Sequence, residues 1–288
     1  MGYCYTRFRN LFRQNNSTKE MKIFTMKYTA MALLGLTIAS CSTVPLSGRK
    51  QLALVSDDQI QEQATTAYKE FLGSPKTKVI TGTSNAALVK KVGNNIAAAV
   101  NKYLTSQGMA SQYNFTWEFN LIESPDVNAW CMPGGKVAVY TGILPFTANE
   151  AGLATVMGHE IAHAIARHSM EQMSNQYAMQ IGAQVLGVAT AGKSSIVQGL
   201  VNNAYGIGGQ LAMLKYSRSN ESEADKLGLI FMAMAGYNPE TAVGFWERMA
   251  SAKAASGQPE FLSTHPSDAR RITDIQRLLP EARKYYKK

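Results

Sequence analysis

Cysteine is scarce in this chain: there are three in 288 residues, at positions 4, 41 and 131. That excludes a disulfide-stapled scaffold. Cys4 lies ahead of an expected cleavage point and Cys41 is expected to be modified, so Cys131 alone remains as a thiol. Charge is thin too, at 17% of residues against 45% hydrophobic, which excludes a disordered chain. The net charge of +9 does not argue for a nucleic-acid partner. Six of the 29 basic residues and one of the 20 acidic ones fall in residues 1–40, leaving the rest only mildly basic. Long apolar runs are missing as well. The Gly/Ala-rich stretch 181–209 is flanked or broken by Gln180, Gln184, Lys193 and scattered glycine, which argues against a membrane span.

What the front of the chain does have is a short apolar run, AMALLGLTIAS (30–40), preceded by Lys22 and Lys27 and ending at Cys41. The run suits the core of a secretory signal better than a membrane helix. Ile38-Ala39-Ser40-Cys41 resembles the bacterial lipobox, which implies cleavage before Cys41, lipidation of its sulfur and a membrane anchor of several acyl chains. The plainer alternative is an ordinary signal peptide with a chance cysteine. Ser42, in place of an acidic residue, points to an outer-membrane lipoprotein facing the periplasm. Residues 1–20 fit no signal pattern, and Met21 or Met26 is a candidate true start. The expected organisation is a signal region at 1–40, a tether at 41–55 and one domain at 56–288.

Within that domain the hydrophobic period changes twice. Ser56 precedes SDDQIQEQATTAYKEFL, whose early acids suit a helix start. A second helix is predicted over residues 85–104. NFTWEFNLIES (114–124), NAWCM (128–132) and KVAVYTG (136–142) read as three short strands, with Pro133-Gly134-Gly135 as a turn. The remainder reads as helical.

The stretch VMGHEIAHAIARH (156–168) carries the chemistry. Thr147 and Glu150 have capping-box spacing, and Leu153, Met157, Ile161 and Ala164 form an apolar stripe. His159 and His163 then share a face one turn apart, where two imidazoles can grip one metal ion. Glu160 points to a neighbouring direction, within reach of a water at that metal. Two merely satisfied histidines on an amphipathic helix would give the same short pattern. YSRSNESEADKLG (216–228) supplies further donors. Glu221 and Asp225 share one face of a helix that buries Leu227, Ile230, Phe231 and Met234. Glu221 is a candidate third ligand, with Glu223 its competitor. Asp225 is a candidate partner for the N–H of a ligating histidine. Taken alone, these acids also suit a solvated helix start.

Together, SGRKQLALVSD (47–57), NAWCMPGGKVAVYTGIL (128–144), GHEIAHAIARH (158–168), YSRSNESEADKLG (216–228) and STHPSDARRI (263–272) resemble the family of HtpX-like heat-shock proteases and CAAX prenyl proteases. The likeness is strongest to its bacterial lipoprotein members, the BepA-like periplasmic metallopeptidases, though without their tetratricopeptide repeats or the membrane helices of the HtpX-like members. The resemblance implies an α+β, mostly helical, minigluzincin-like zinc peptidase, with a small three-stranded sheet beside the HExxH helix. It implies one Zn2+ per chain on His159, His163 and Glu221, with Glu160 as catalytic base and Asp225 as an outer partner. Asn128, Ala129 and Trp130 resemble the start of an edge strand that pairs with extended or unfolded polypeptide substrates. Trp130 has an alternative as a core residue. The implied activity is envelope endopeptidase; the alternative is an outer-membrane assembly chaperone that rarely cleaves.

His265, just before Pro266, is expected at a helix N-terminus, where positive potential favours its neutral form. Three roles are open to it: stabilising the tetrahedral intermediate, occupying the open metal position as a latch, or simply capping a helix. Arg218 is a weaker candidate for the oxyanion role, with an ion pair to Glu221 as its alternative. His168, five residues past His163, reads as a surface or structural residue.

Overall fold

The computed structural model describes residues 41–189, 216–256, 260–265 and 270–287. The chain divides into two compact units, Met1–Ser42 and Thr43–Lys288. Of the first, only Cys41 and Ser42 are described, at the start of a short strand, β1 (Cys41–Thr43). The expected signal region at 1–40 and the Gly/Ala-rich core of 181–209 lie outside the described residues, apart from the backbone of residues 181–189. The second unit carries every other described element.

Residues expected as a tether carry strand β2 (Lys50–Leu52) and bury Val44 and Gln51. Helix α1 (Asp57–Gly73) begins after Ser56 with Asp57 and Asp58 in its first turn, as the sequence pattern indicates. Helix α2 (Ser84–Ser106) is capped by Thr83, whose hydroxyl accepts from the Ala86 N–H.

The sheet has four strands: β3 (Val79–Ile80), β4 (Glu118–Ile122), β5 (Ala129–Met132) and β6 (Lys136–Tyr140). Their order is β3-β4-β6-β5, with β4 and β6 parallel and the other pairs antiparallel. The strand expected from residue 114 starts only at Glu118. Ahead of it, the N–H groups of Thr116 and Glu118 bond the carbonyls of Gly134 and Gly135 in the β5–β6 turn. That turn needs glycine. Gly134 and Gly135 have φ of 81° and 84°, and a Cβ on Gly135 would stand 2.6 Å from the Trp117 ring.

Helix α3 (Leu144–Thr147) ends at Ala148, with φ of 61°. Helix α4 (Glu150–Ile165) follows. Its cap is Asn149, which accepts from the Gly152 N–H, and not the expected Thr147, whose hydroxyl instead bonds the Leu144 carbonyl. The expected one-sided apolar stripe is also replaced: residues 152–165 are all buried. Helix α5 (His168–Ala189) leads to the undescribed segment. Helix α6 (Arg218–Met234) lies against α4 and is capped by Ser217. The backbones meet at Gly158 and Gly228, where a Cβ on either would fall 2.8 Å from the other helix's backbone. Helices α7 (Thr241–Ser256), α8 (Glu260–Thr264) and α9 (Arg271–Ala282) close the core with Phe245, Trp246, Phe261 and Ile275. No described helix is long and apolar enough to cross a membrane.

Candidate metal centre

The close approach at Gly158 and Gly228 brings the polar groups of α4 and α6 together. The two helices run antiparallel at this point. His159 Nδ1 stands 3.0 Å from Asp225 Oδ1, and one turn further on His163 Nε2 stands 3.4 Å from Glu221 Oε1. The Nε2 atoms of the two histidines are 3.1 Å apart, and Glu221 Oε2 is 3.4 Å from that of His159. Zinc bonds of about 2.0–2.2 Å in a tetrahedron put ligand atoms about 3.3–3.6 Å apart, close to these separations. His265 adds a fourth donor, with Nδ1 3.0 Å from Glu221 Oε1 and 3.3 Å from His159 Nε2. All four side chains are buried. Neither Glu221 Oε2 nor Glu160 Oε1 makes a well-formed hydrogen bond, although both are sealed from solvent. Their nearest donors, Arg271 Nη1 at 3.1 Å and His265 Nε2 at 3.3 Å, are poorly aligned, and buried carboxylate oxygens so incompletely served are costly unless a further cation completes them. The donor set therefore fits a zinc ion.

The electrostatics follow from burial set against neighbours. Burial pushes His163 well below the ordinary imidazole range, which keeps it neutral. Burial also opposes charge on His159, but the Asp225 and Glu221 carboxylates outweigh it and raise that group. Burial opposes ionisation of Glu221, yet His265, His159 and His163 hold it far below the usual carboxylate range. Asp225 is lowered likewise: Arg271 and His159 overcome its burial. Glu160 goes the other way. Burial, with Glu221 nearby, raises it to about 7 against the pull of His265 and Arg271. Its carboxylate also accepts from the Cys131 backbone and lies 3.3 Å from His265 Nε2.

Each expected site residue has a definite place. His159, Glu160, His163, Glu221 and Asp225 converge. Glu223 does not join the donors; its carboxylate is held by His168, Ser47 and Arg49. His168 is buried, which rules out the surface alternative, and its Nδ1 lies 2.8 Å from His163 Nδ1. Cys131 is buried and stands outside the donor cluster. The helix start expected at Pro266 lies outside the described residues. His265 itself directly follows α8, its N–H bonding the Phe261 carbonyl. Arg218 is exposed at the first residue of α6, and the guanidinium beside Glu221 belongs to Arg271, at 3.1 Å.

Arg271 is the residue that sequence reasoning missed. It grips Asp225 with two hydrogen bonds of 2.9 and 2.8 Å and lies 3.5 Å above the Trp246 ring. The signal was present in STHPSDARRI, but nothing there separates Arg271 from the exposed Arg270. Tyr216 was missed too; its ring stacks on His163 with centroids 4.0 Å apart.

Strand β5 ends the sheet order, so it is an edge strand among the described residues. The Tyr140 N–H bonds the Asn128 carbonyl, and in antiparallel alternation this turns the peptide groups of Ala129 and Cys131 to the outer edge. Asn128 also accepts from the Ala129 N–H through its side chain. Trp130 meets Tyr68 and Phe71 edge-on in a core cluster, as its bland alternative has it.

Comparison with known proteins places this geometry. "Mitochondrial metalloendopeptidase OMA1" of Schizosaccharomyces pombe is 34% identical over 240 residues, covering 83% of this chain and 66% of the relative. The Saccharomyces cerevisiae protein of the same name is 37% identical over 177 residues, 59% of this chain and 49% of the relative. "Beta-barrel assembly-enhancing protease" of Escherichia coli is 29% identical over 190 residues, 61% of this chain and 38% of the relative. The chain thus spans between about two fifths and two thirds of the length of these relatives. The comparison corrects the expected location. Stronger similarity to mitochondrial proteins than to the bacterial one overturns the outer-membrane, periplasm-facing placement drawn from Cys41 and Ser42. Residues 90–279 match the family described as "Peptidase family M48". With every donor of the centre inside that match, the chain belongs to peptidase family M48.

Proposed function

We propose that this chain is a zinc endopeptidase that cuts extended or unfolded polypeptides. The observation that carries the reading is the tetrahedral spacing of the His159, His163 and Glu221 donor atoms, with the Glu160 carboxylate beside them. In this reading those three residues hold one zinc ion. Bound there, zinc supplies Lewis-acid polarisation of the scissile carbonyl and a water acidified towards neutrality. Glu160 takes a proton from the attacking water as its oxygen adds to the peptide carbon. It returns that proton to the amide nitrogen as the C–N bond breaks. Asp225 holds His159 by its Nδ1–H, and Arg271 holds Asp225. The outward carbonyls of Ala129 and Cys131 offer main-chain acceptors to a substrate strand, their N–H groups being held by the Asn128 side chain and the Glu160 carboxylate, and such pairing selects extended backbone with little regard to side chain.

The test is metal removal. Chelator-treated protein is expected to lose all cleavage of denatured casein, and one equivalent of zinc per chain to restore it. Cleavage that persists in demonstrably metal-free protein would sink the reading.

His265 takes the latch role in this proposal. Its Nδ1 stands where a fourth zinc ligand would, in the position that water needs. His265→Ala is then expected to raise casein turnover with zinc retained. The gain is on the order of 10-fold if the latched form is favoured by about 1.4 kcal/mol. A loss of turnover with zinc retained would instead put the imidazole on the transition state. Unchanged turnover would leave it as a helix-end residue.

A further inference from the structure

Behind His163, on the side away from the donors, the structure holds a chain of polar side chains that the proposed chemistry does not use. His163 Nδ1 faces His168 Nδ1 at 2.8 Å, and His168 Nε2 faces Glu223 Oε2 at 3.0 Å. Glu223 Oε2 also accepts from Arg49 Nε at 2.6 Å, and Glu223 Oε1 accepts from the Ser47 hydroxyl. Arg49 is fixed in turn by Glu171 at 2.6 Å and by Gln51 at 3.1 Å, and Asn220 donates to Glu171 at 3.1 Å. His168 is fully buried, while Glu223 is nearly so.

The far end of this chain sets the direction of every proton in it. A carboxylate only accepts hydrogen bonds, so the nitrogen of His168 that faces Glu223 must carry the proton. A neutral imidazole has one N–H, so His168 Nδ1 is then an acceptor. His163 Nδ1 must therefore donate to it. His163 Nε2, which faces His159 and Glu221, is left with a lone pair and no proton. That is the tautomer a metal ligand needs.

We infer that His168 and Glu223 are positioning residues for His163, and that Ser47 and Arg49 anchor them from a segment outside the family match at 90–279. The inference rests on the proposal that His163 is a metal ligand. SGR (47–49) thereby acquires a role, because the chain that leads into the domain locks the orientation and tautomer of one ligand through two intervening side chains. Glu223 follows Glu221 by two residues, so the two carboxylates point to different sides of α6, one to the donors and one to the lock.

The test reads zinc affinity by competition with a chromophoric chelator, on the full chain, alongside melting temperature. His168→Phe keeps a flat ring but removes both hydrogen bonds, and is expected to weaken zinc binding about 10–100-fold. Glu223→Gln should weaken it by a smaller factor. The double variant should bind no more weakly than His168→Phe alone, because the two residues act in series. In the cobalt-loaded chain, His168→Phe should also shift the visible absorption band. Zinc affinity within twofold of wild type for His168→Phe, or additive losses in the double variant, would overturn the inference. Should His168→Phe fail to fold, Arg49→Met decides, since that side chain is 31% exposed. About threefold or greater weakening of zinc binding at an unchanged melting temperature supports the lock, and no change refutes it. His163→Gln separates this failure from that of the underlying proposal. If His163→Gln strips zinc while His168→Phe and Arg49→Met do not, only the lock is wrong. If His163→Gln leaves zinc bound, the ligand assignment itself has failed.

Discussion

Glu160→Gln is expected to abolish cleavage of denatured casein while one zinc per chain remains bound. The carboxylate sits next to the donors without being one of them: it is not in the cluster of His159, His163, Glu221 and His265. Its removal therefore takes away proton transfer and leaves the ligands in place. General-base catalysis is worth about 10²–10⁴-fold, or about 3–5.5 kcal/mol of barrier. The amide of Gln can neither accept nor return a proton, so the loss should reach the upper part of that range. The fold should tolerate the change. Gln has nearly the same shape, and the charge it deletes is one that burial already resists, as the rise of Glu160 to about 7 records. Paired measurements of cleavage rate and zinc content decide the matter. Equal cleavage by the two proteins would refute the role of Glu160, and loss of zinc from the variant would make it a ligand.

The parts of this site that are legible in the sequence share one property: their partners lie on the same helix. His159 and His163 are one turn apart on α4, and Glu221 and Asp225 are one turn apart on α6. Helical geometry alone puts each pair on one face. The resemblance to known peptidases supplies what spacing cannot, namely that the two faces meet. The structure adds why they can. Gly158 and Gly228 let the two backbones touch, and both glycines lie inside the quoted motifs without announcing that purpose. Arg271 escapes because its target, Asp225, is 46 residues away and its neighbour Arg270 has the same chemistry. The link from Arg49 to Glu223 spans 174 residues and leaves no periodic trace.

Departures in local structure have local causes. Thr147 resembles the cap of α4 because it has capping-box spacing with Glu150. The short α3 and the positive φ of Ala148 intervene, and Asn149 takes the position instead. The apolar stripe of α4 is only part of a fully buried surface. A central helix is covered on every side, so its small residues (Gly152, Ala154, Gly158, Ala162) carry as much packing information as its large ones.

Glu221→Gln and Asp225→Asn are expected to part company, although both carboxylates are buried and both touch Arg271 and His159. In Glu221→Gln a neutral amide replaces an anionic donor, and amides are poor zinc ligands. The change also leaves Arg271 with one carboxylate instead of two. Zinc affinity and cleavage should fall together, by more than the roughly 10–100-fold that loss of an outer partner costs. In Asp225→Asn the amide oxygen can still accept the His159 Nδ1–H, now at 3.0 Å, so the ligand keeps its orientation. What weakens is the two-bonded clamp from Arg271: the amide oxygen at the Oδ1 position keeps Nη2, while the NH2 group at the Oδ2 position faces the Nε–H of Arg271 donor to donor, and that bond is lost. The expected cost is therefore about 10–100-fold in zinc affinity or activity. Zinc titrations of both variants against one chelator, with casein cleavage measured at saturating zinc, separate the two effects. At saturating zinc the Asn variant should recover most of its turnover, because its defect lies in holding the metal. The Gln variant should not, because the ligand set itself has changed. If Asp225→Asn strips the metal while Glu221→Gln retains it, the two carboxylates hold each other's roles and the donor set must be redrawn around Asp225.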